Sequence, residues 1–148
     1  MTDSLGRDMQ CLNPDIDIVF LSGATITGMR ISLPNLTQYS CILLLVGTND
    51  LTPKWVWLKY KHNMRKSNAD FVLPSHSKTP VHRVTDDYKR LLKAIKLQNP
   101  SINILVSSII PRPFDFDANK DYLISVNNAL KDMARKPVDA NTYQVTGR

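Results

Sequence analysis

Cys41-Ile42-Leu43-Leu44-Leu45-Val46, followed directly by Gly47-Thr48-Asn49-Asp50, is the stretch that decides the fold. Six consecutive apolar residues read as a fully buried strand of the kind parallel sheets use, and the polar residues after it read as the loop at its carboxyl end. Open α/β sheets place ligands and chemistry at such loops. Asn49 is therefore a candidate site residue. The same four residues also serve plain turn chemistry, because Gly, Asn and Asp accept left-handed backbone and cap helices.

Working upstream, Asp15-Ile16-Asp17-Ile18-Val19-Phe20-Leu21 reads as a second strand. It ends in Ser22-Gly23-Ala24, small residues that let backbone approach closely. Residues 25–40 carry Gly28, Pro34 and Asn35 among apolar residues and are expected to form a short helix or irregular crossover. Nearer the start, Leu5, Met9 and Leu12 fall at i, i+4 and i+7, a short amphipathic helix that Asp3 or Ser4 is suited to cap. Downstream, Thr85-Asp86-Asp87 reads as the cap and acidic first turn of a helix, with Val84, Tyr88, Leu91, Leu92 and Ile95 at helical spacing and Asn99-Pro100 as its stop. Residues 102–109 form a further buried strand closed by Ile110-Pro111-Arg112-Pro113. Leu123, Val126, Leu130 and Met133 mark a helix over 119–133, and Tyr143-Gln144-Val145-Thr146 begins a last strand. Helices alternating with apolar strands predict a parallel, doubly wound α/β sheet.

The 148 residues suit one domain. Net charge is +6, and it is concentrated: residues 54–83 hold Lys54, Lys59, Lys61, Arg65, Lys66, Lys78 and Arg83 against Asp70 alone. With Trp55, Trp57 and Tyr60 interleaved, this segment has the composition of a surface that stacks on and neutralises nucleic acid or another polyanion. It reads equally as a solvated basic insertion whose aromatics lie against the domain. Cys11 and Cys41 have no metal-ligand spacing, and with Cys41 placed in a buried strand a reduced, intracellular setting is expected. No signal-peptide pattern opens the chain and no apolar run approaches the roughly 20 residues of a membrane span, so a soluble protein is expected. Nothing in the sequence calls for a cofactor or a metal, and the oligomeric state cannot be read from it.

Three strand-end loops with these residues, in this order, resemble the SGNH (GDSL-type) hydrolase family over nearly the whole chain. Thr2-Asp3-Ser4-Leu5 resembles the Gly-Asp-Ser-Leu nucleophile block, with Thr2 in place of Gly. Ser22-Gly23-Ala24 resembles the Gly block, and Gly47-Thr48-Asn49-Asp50 matches the Asn block. The helix over 85–97, the strand over 102–109 and the helix bearing Asn127 and Asn128 continue in the family's order. Residues 108–113 also resemble esterase-like domains associated with eukaryotic mobile elements.

The resemblance implies a flavodoxin-like, three-layer, doubly wound sheet of the SGNH hydrolase type. It also implies serine esterase or acyl-hydrolase activity on a small ester or acyl substrate. Ser4 would be the nucleophile at a helix start, where the helix dipole favours negative charge. The Ser4 and Gly23 backbone N–H groups and the Asn49 side-chain amide would hold the oxyanion. The family takes its base from a C-terminal Asp-x-x-His block, which this sequence lacks. His62, His76 and His82 all fall in the basic segment, and Asp117 and Asp139 carry no mark as partners. Only Met1-Thr2-Asp3 precede Ser4, where the family has its central first strand. Both ends are thus expected to be incomplete relative to the family, and activity of the fragment is expected to be weak or absent. Arg112, at a strand mouth, has two readings: contact with an anionic substrate group, or capping of carbonyls at the solvent-facing surface.

Overall fold

The structure is a computed structural model and describes residues 1, 13–21, 23–51, 80–111, 116–135 and 143–146. In chain order these give helix α1 (Ile26–Ile31), strand β1 (Cys41–Leu44), a 3-10 turn (Asn49–Leu51), helix α2 (Pro80–Gln98), strand β2 (Asn103–Ser107), helix α3 (Phe116–Arg135) and strand β3 (Tyr143–Thr146). The strands lie in the order β1-β2-β3 and all pairs are parallel. Cys41 is in register with Asn103 and Ile104 with Tyr143. The protein is therefore α/β with a parallel sheet, as the alternation of apolar strands and amphipathic helices predicts.

Each crossover from one strand to the next carries a helix, and the helices line up side by side, α1 against α2 and α2 against α3. They cover one face of the sheet. Ile42, Leu44, Val46, Ile104 and Val106 meet Val84, Tyr88, Leu91, Leu92 and Ile95 of α2 and Val126, Leu130 and Met133 of α3 in one apolar cluster. Fully burying each such side chain is worth about 1.5–3 kcal/mol, which makes this stripe the main source of stability.

Burial in β1 alternates, and this corrects the expectation of a strand buried on both faces. Leu43 is 42% exposed and Cys41 is exposed, while Ile42 and Leu44 are not. Successive side chains in a strand point to opposite faces, so an unbroken apolar run does not report how many faces are covered. Among the described residues, helices cover only the face of Ile42 and Leu44. The helix expected from Leu5, Met9 and Leu12 lies outside the described residues.

Other boundaries also moved. Helix α2 starts at Pro80, five residues before the expected cap at Thr85. Proline is well tolerated in the first turn, where its missing N–H would have no intrahelical partner. The Thr85 hydroxyl consequently donates to the Val81 carbonyl at 2.7 Å inside the helix instead of capping it. At the other end the stop is as read: Asn99 Nδ2 donates to the Leu36 and Tyr39 carbonyls at 3.0 and 2.8 Å, tying the end of α2 to the loop before β1. Of the strand expected over 15–21, only Phe20 makes a bridge among the described residues. On the far side of β1 from β2, Met1 pairs with the strand: its ammonium donates to the Leu43 carbonyl at 2.7 Å and its carbonyl accepts from Leu45 N–H at 2.9 Å. No helix among the described residues is long and apolar enough to cross a membrane.

Tyr88 ties the core to the end of β1, since its buried hydroxyl donates to the Val46 carbonyl. Tyr88→Phe leaves that buried acceptor short of a partner and is expected to cost about 1–3 kcal/mol in urea denaturation, with the m-value unchanged.

Candidate active site

The carboxyl ends of the strands are joined by a network of polar bonds that begins at the Asn block. Asn49 is 5% exposed, and its Nδ2 donates to the Ala24 carbonyl at 3.0 Å. Asp50 is 1% exposed, and its carboxylate oxygens accept from Ile26 N–H at 3.0 and 3.3 Å. Ile26 opens α1, a helix of six residues whose start is also capped by Thr25, the hydroxyl of which accepts from Gly28 N–H at 3.1 Å. So short a helix is marginal by itself and depends on such external bonds. The Asn block is thereby held against the Gly block and the start of α1 by bonds that span 25 and 24 residues.

Two glycines make this geometry possible. Gly23 has φ of +70° and Gly47 of +123°, backbone that residues with a Cβ rarely adopt. Gly47 has a second reason. A Cβ there would lie 2.6 Å from Ile109 Cδ1 and 2.9 Å from Cγ1, so the loop after β1 and the loop after β2 meet where a side chain would stand. Thr48 Oγ1 joins the same two loops by donating to the Ile110 carbonyl at 2.9 Å. From α3, Asn127 clamps the second loop with a pair of bonds: its Oδ1 accepts from Ile109 N–H at 2.8 Å and its Nδ2 donates to the Ile109 carbonyl at 3.1 Å.

Arg83 completes the network from below and corrects its assignment to a basic insertion. It lies in the first turns of α2, is 7% exposed, and its Nη2 donates to the Asp50 carbonyl at 2.5 Å. One helical turn on, Asp87 is 8% exposed, with its carboxylate 3.6 Å from Arg90. Burial raises the Asp87 carboxyl above its ordinary 3.8, against the pull of the Arg90, Arg83 and Arg30 charges, while Asp86 adds to the rise.

Of the residues singled out from sequence, Gly23 and Asn49 are brought together at the strand ends. Ser4, His62, His76, Arg112 and Asp139 lie outside the described residues, and Asp117 lies in the first turn of α3. His82 sits in the first turn of α2 with its side chain exposed, beside the inward-facing Arg83. Asp50, Arg83 and Asn127 were not read as site residues. For Arg83 a signal existed: it continues the inward spacing of Val84, Asp87, Tyr88 and Leu91, which marks a cation on the core face of its helix.

No protein-family model matches this chain, and no curated protein matches it in sequence. Among solved structures it is similar to the crystal structure of a carbohydrate esterase family 3 from Talaromyces cellulolyticus, with a TM-score of 0.56 and 16% identity over 95% of this chain and 61% of that one. At that identity the likeness shows the fold, and the chain spans about 61% of that protein's length. The protein thus shares its α/β fold with that solved structure. The expected link to mobile elements finds no support in these comparisons.

Two outcomes test the network. Gly47→Ala is expected to cost about 1–3 kcal/mol from crowding alone, with backbone strain added. Much of the crowding should vanish in the background of Ile109→Ala, so a double-mutant cycle should show coupling between the two positions. For Asp87, a folded-state pKa above 3.8 gives a contribution to stability that is fully present below 3.8 and lost as pH rises through the raised value. Asp87→Asn cannot ionise, so its melting temperature should escape that loss, and the variant should gain on the parent protein as pH rises from 3.8 through the raised value.

Proposed function

We propose that the chain is an SGNH-type esterase or acyl-hydrolase domain in which Ser4 is the nucleophile and the Ser4 N–H, the Gly23 N–H and the Asn49 amide form the oxyanion hole. The observation that carries this reading is the fastening of the Asn49 amide to the Gly23-Ala24 loop through the Ala24 carbonyl, at the strand ends of an esterase-like fold. Neutral donors held rigidly in a buried loop suit a charge that exists only in the transition state, since little reorganisation is needed as it develops.

In this reading Ser4 Oγ attacks the ester carbonyl carbon and gives its proton to a base, and the carbonyl oxygen becomes the bound oxyanion. Collapse expels the alcohol, which takes a proton back, and water then releases the acid from Ser4 by the same steps in reverse order. The histidine of an Asp-x-x-His block is absent, so turnover by these 148 residues is expected to be slow, with His62, His76 and His82 the candidate bases. The solved neighbour is described as a carbohydrate esterase, which makes O-acylated sugars the first substrates to try.

Covalent labelling by a fluorophosphonate probe, read by intact mass, tests the assignment. The expected result is one adduct that is lost in Ser4→Ala and forms about 10²–10³-fold more slowly in Asn49→Ala, the usual cost of one oxyanion donor. A chain that takes up no probe, or whose labelling survives Ser4→Ala, would sink it.

A further inference from the structure

Arg83 is the buried cation of this network, and the charge itself is costly to bury, so its placement calls for an explanation beyond helix packing. Its guanidinium donates to the carbonyl of Asp50, a residue flanked by two functions. The Asp50 carboxylate holds Ile26 N–H, which fixes the start of α1 and with it the loop that contains Gly23. The residue before it, Asn49, holds Ala24 in that same loop. Fixing the Asp50 carbonyl holds the peptide that leaves the Asp50 Cα, and so anchors the backbone from which the Asp50 carboxylate and, one residue earlier, the Asn49 amide reach out. Arginine suits this task better than lysine, because its planar fork presents several donors in one rigid arrangement.

We infer that Arg83 is a positioning residue for the oxyanion hole, acting through the Asp50 carbonyl to preset the Asn49 amide and the Gly23 peptide. The inference rests on the hydrolase reading above. It assigns to α2, an element that lies outside the family-like loops, control over how well those loops are aimed. A group aimed about 1 Å wrong can cost on the order of 10²-fold in rate without any loss of the fold.

The test uses the 148-residue chain and two probes, a fluorophosphonate for Ser4 and 4-nitrophenyl acetate for turnover. Arg83→Met is expected to slow the labelling rate constant and lower kcat by about 10- to 100-fold, with KM and the final labelled fraction unchanged. Arg83→Lys should recover part of the rate. Hydrogen exchange at the Ile26 amide should quicken in Arg83→Met, whereas Arg90→Met, seven residues further along α2 with its side chain exposed, should alter neither reading. Where Arg83→Met does not fold, Arg83→Lys alone decides, by the same split between rate and labelled fraction. Wild-type rates in the folded Arg83 variants, or a loss of labelled fraction with an unchanged rate constant, would overturn the inference while leaving the hydrolase reading in place. Absence of Ser4-dependent labelling in the parent chain would overturn both.

Discussion

The carboxylate of Asp50 is taken out of water at the end of β1 and held against the first peptide N–H of α1. Burying a carboxylate costs several kcal/mol, so the site is stable only while charge-assisted bonds offset that cost. The requirement sets much of what surrounds it. The short helix α1 must begin at that point, the Gly23 loop must enter it in a left-handed turn, and the guanidinium of Arg83 must lie against the same residue's carbonyl. Apolar burial under α2 and α3 supplies the bulk of the stability, but it does not fix the strand-end loops. The Asp50 contacts fix the loop that enters α1, and Asn127 and Thr48 fix the loop after β2.

The elements with strong periodicity were legible in the sequence. The stripe Val84, Tyr88, Leu91, Leu92 and Ile95 gave helix α2, and the runs through Leu44 and Val106 gave neighbouring strands. What periodicity cannot carry is direction and coverage. Leu43 belongs to the same apolar run as Leu44 yet faces away from the helices, because a continuous run looks alike whether one face is covered or two. The α2 boundary was misread because Thr-Asp-Asp has good capping chemistry, and tertiary contacts of Arg83 and Val84 made the earlier turn worth forming.

The site divides the same way. The meeting of the Asn49 and Gly23 loops was legible because an apolar strand ends just before Asn49 and a left-handed turn needs glycine at 23. Arg83 was not, since a charge tally counts side chains and is blind to the way they point. Asp50 was quoted as part of a motif, but its bond to Ile26 spans 24 positions and has no local trace.

Gly47 changes what the Gly-Thr-Asn-Asp signature can be taken to mean. The space a side chain would fill belongs to Ile109, so the glycine is retained by packing between two loops whether or not the serine chemistry operates. A descendant that lost its nucleophile would still be under selection to keep the motif, provided it still had to fold. A glycine at position 47 is therefore a record of architecture, and catalytic competence has to be judged at positions that folding does not protect.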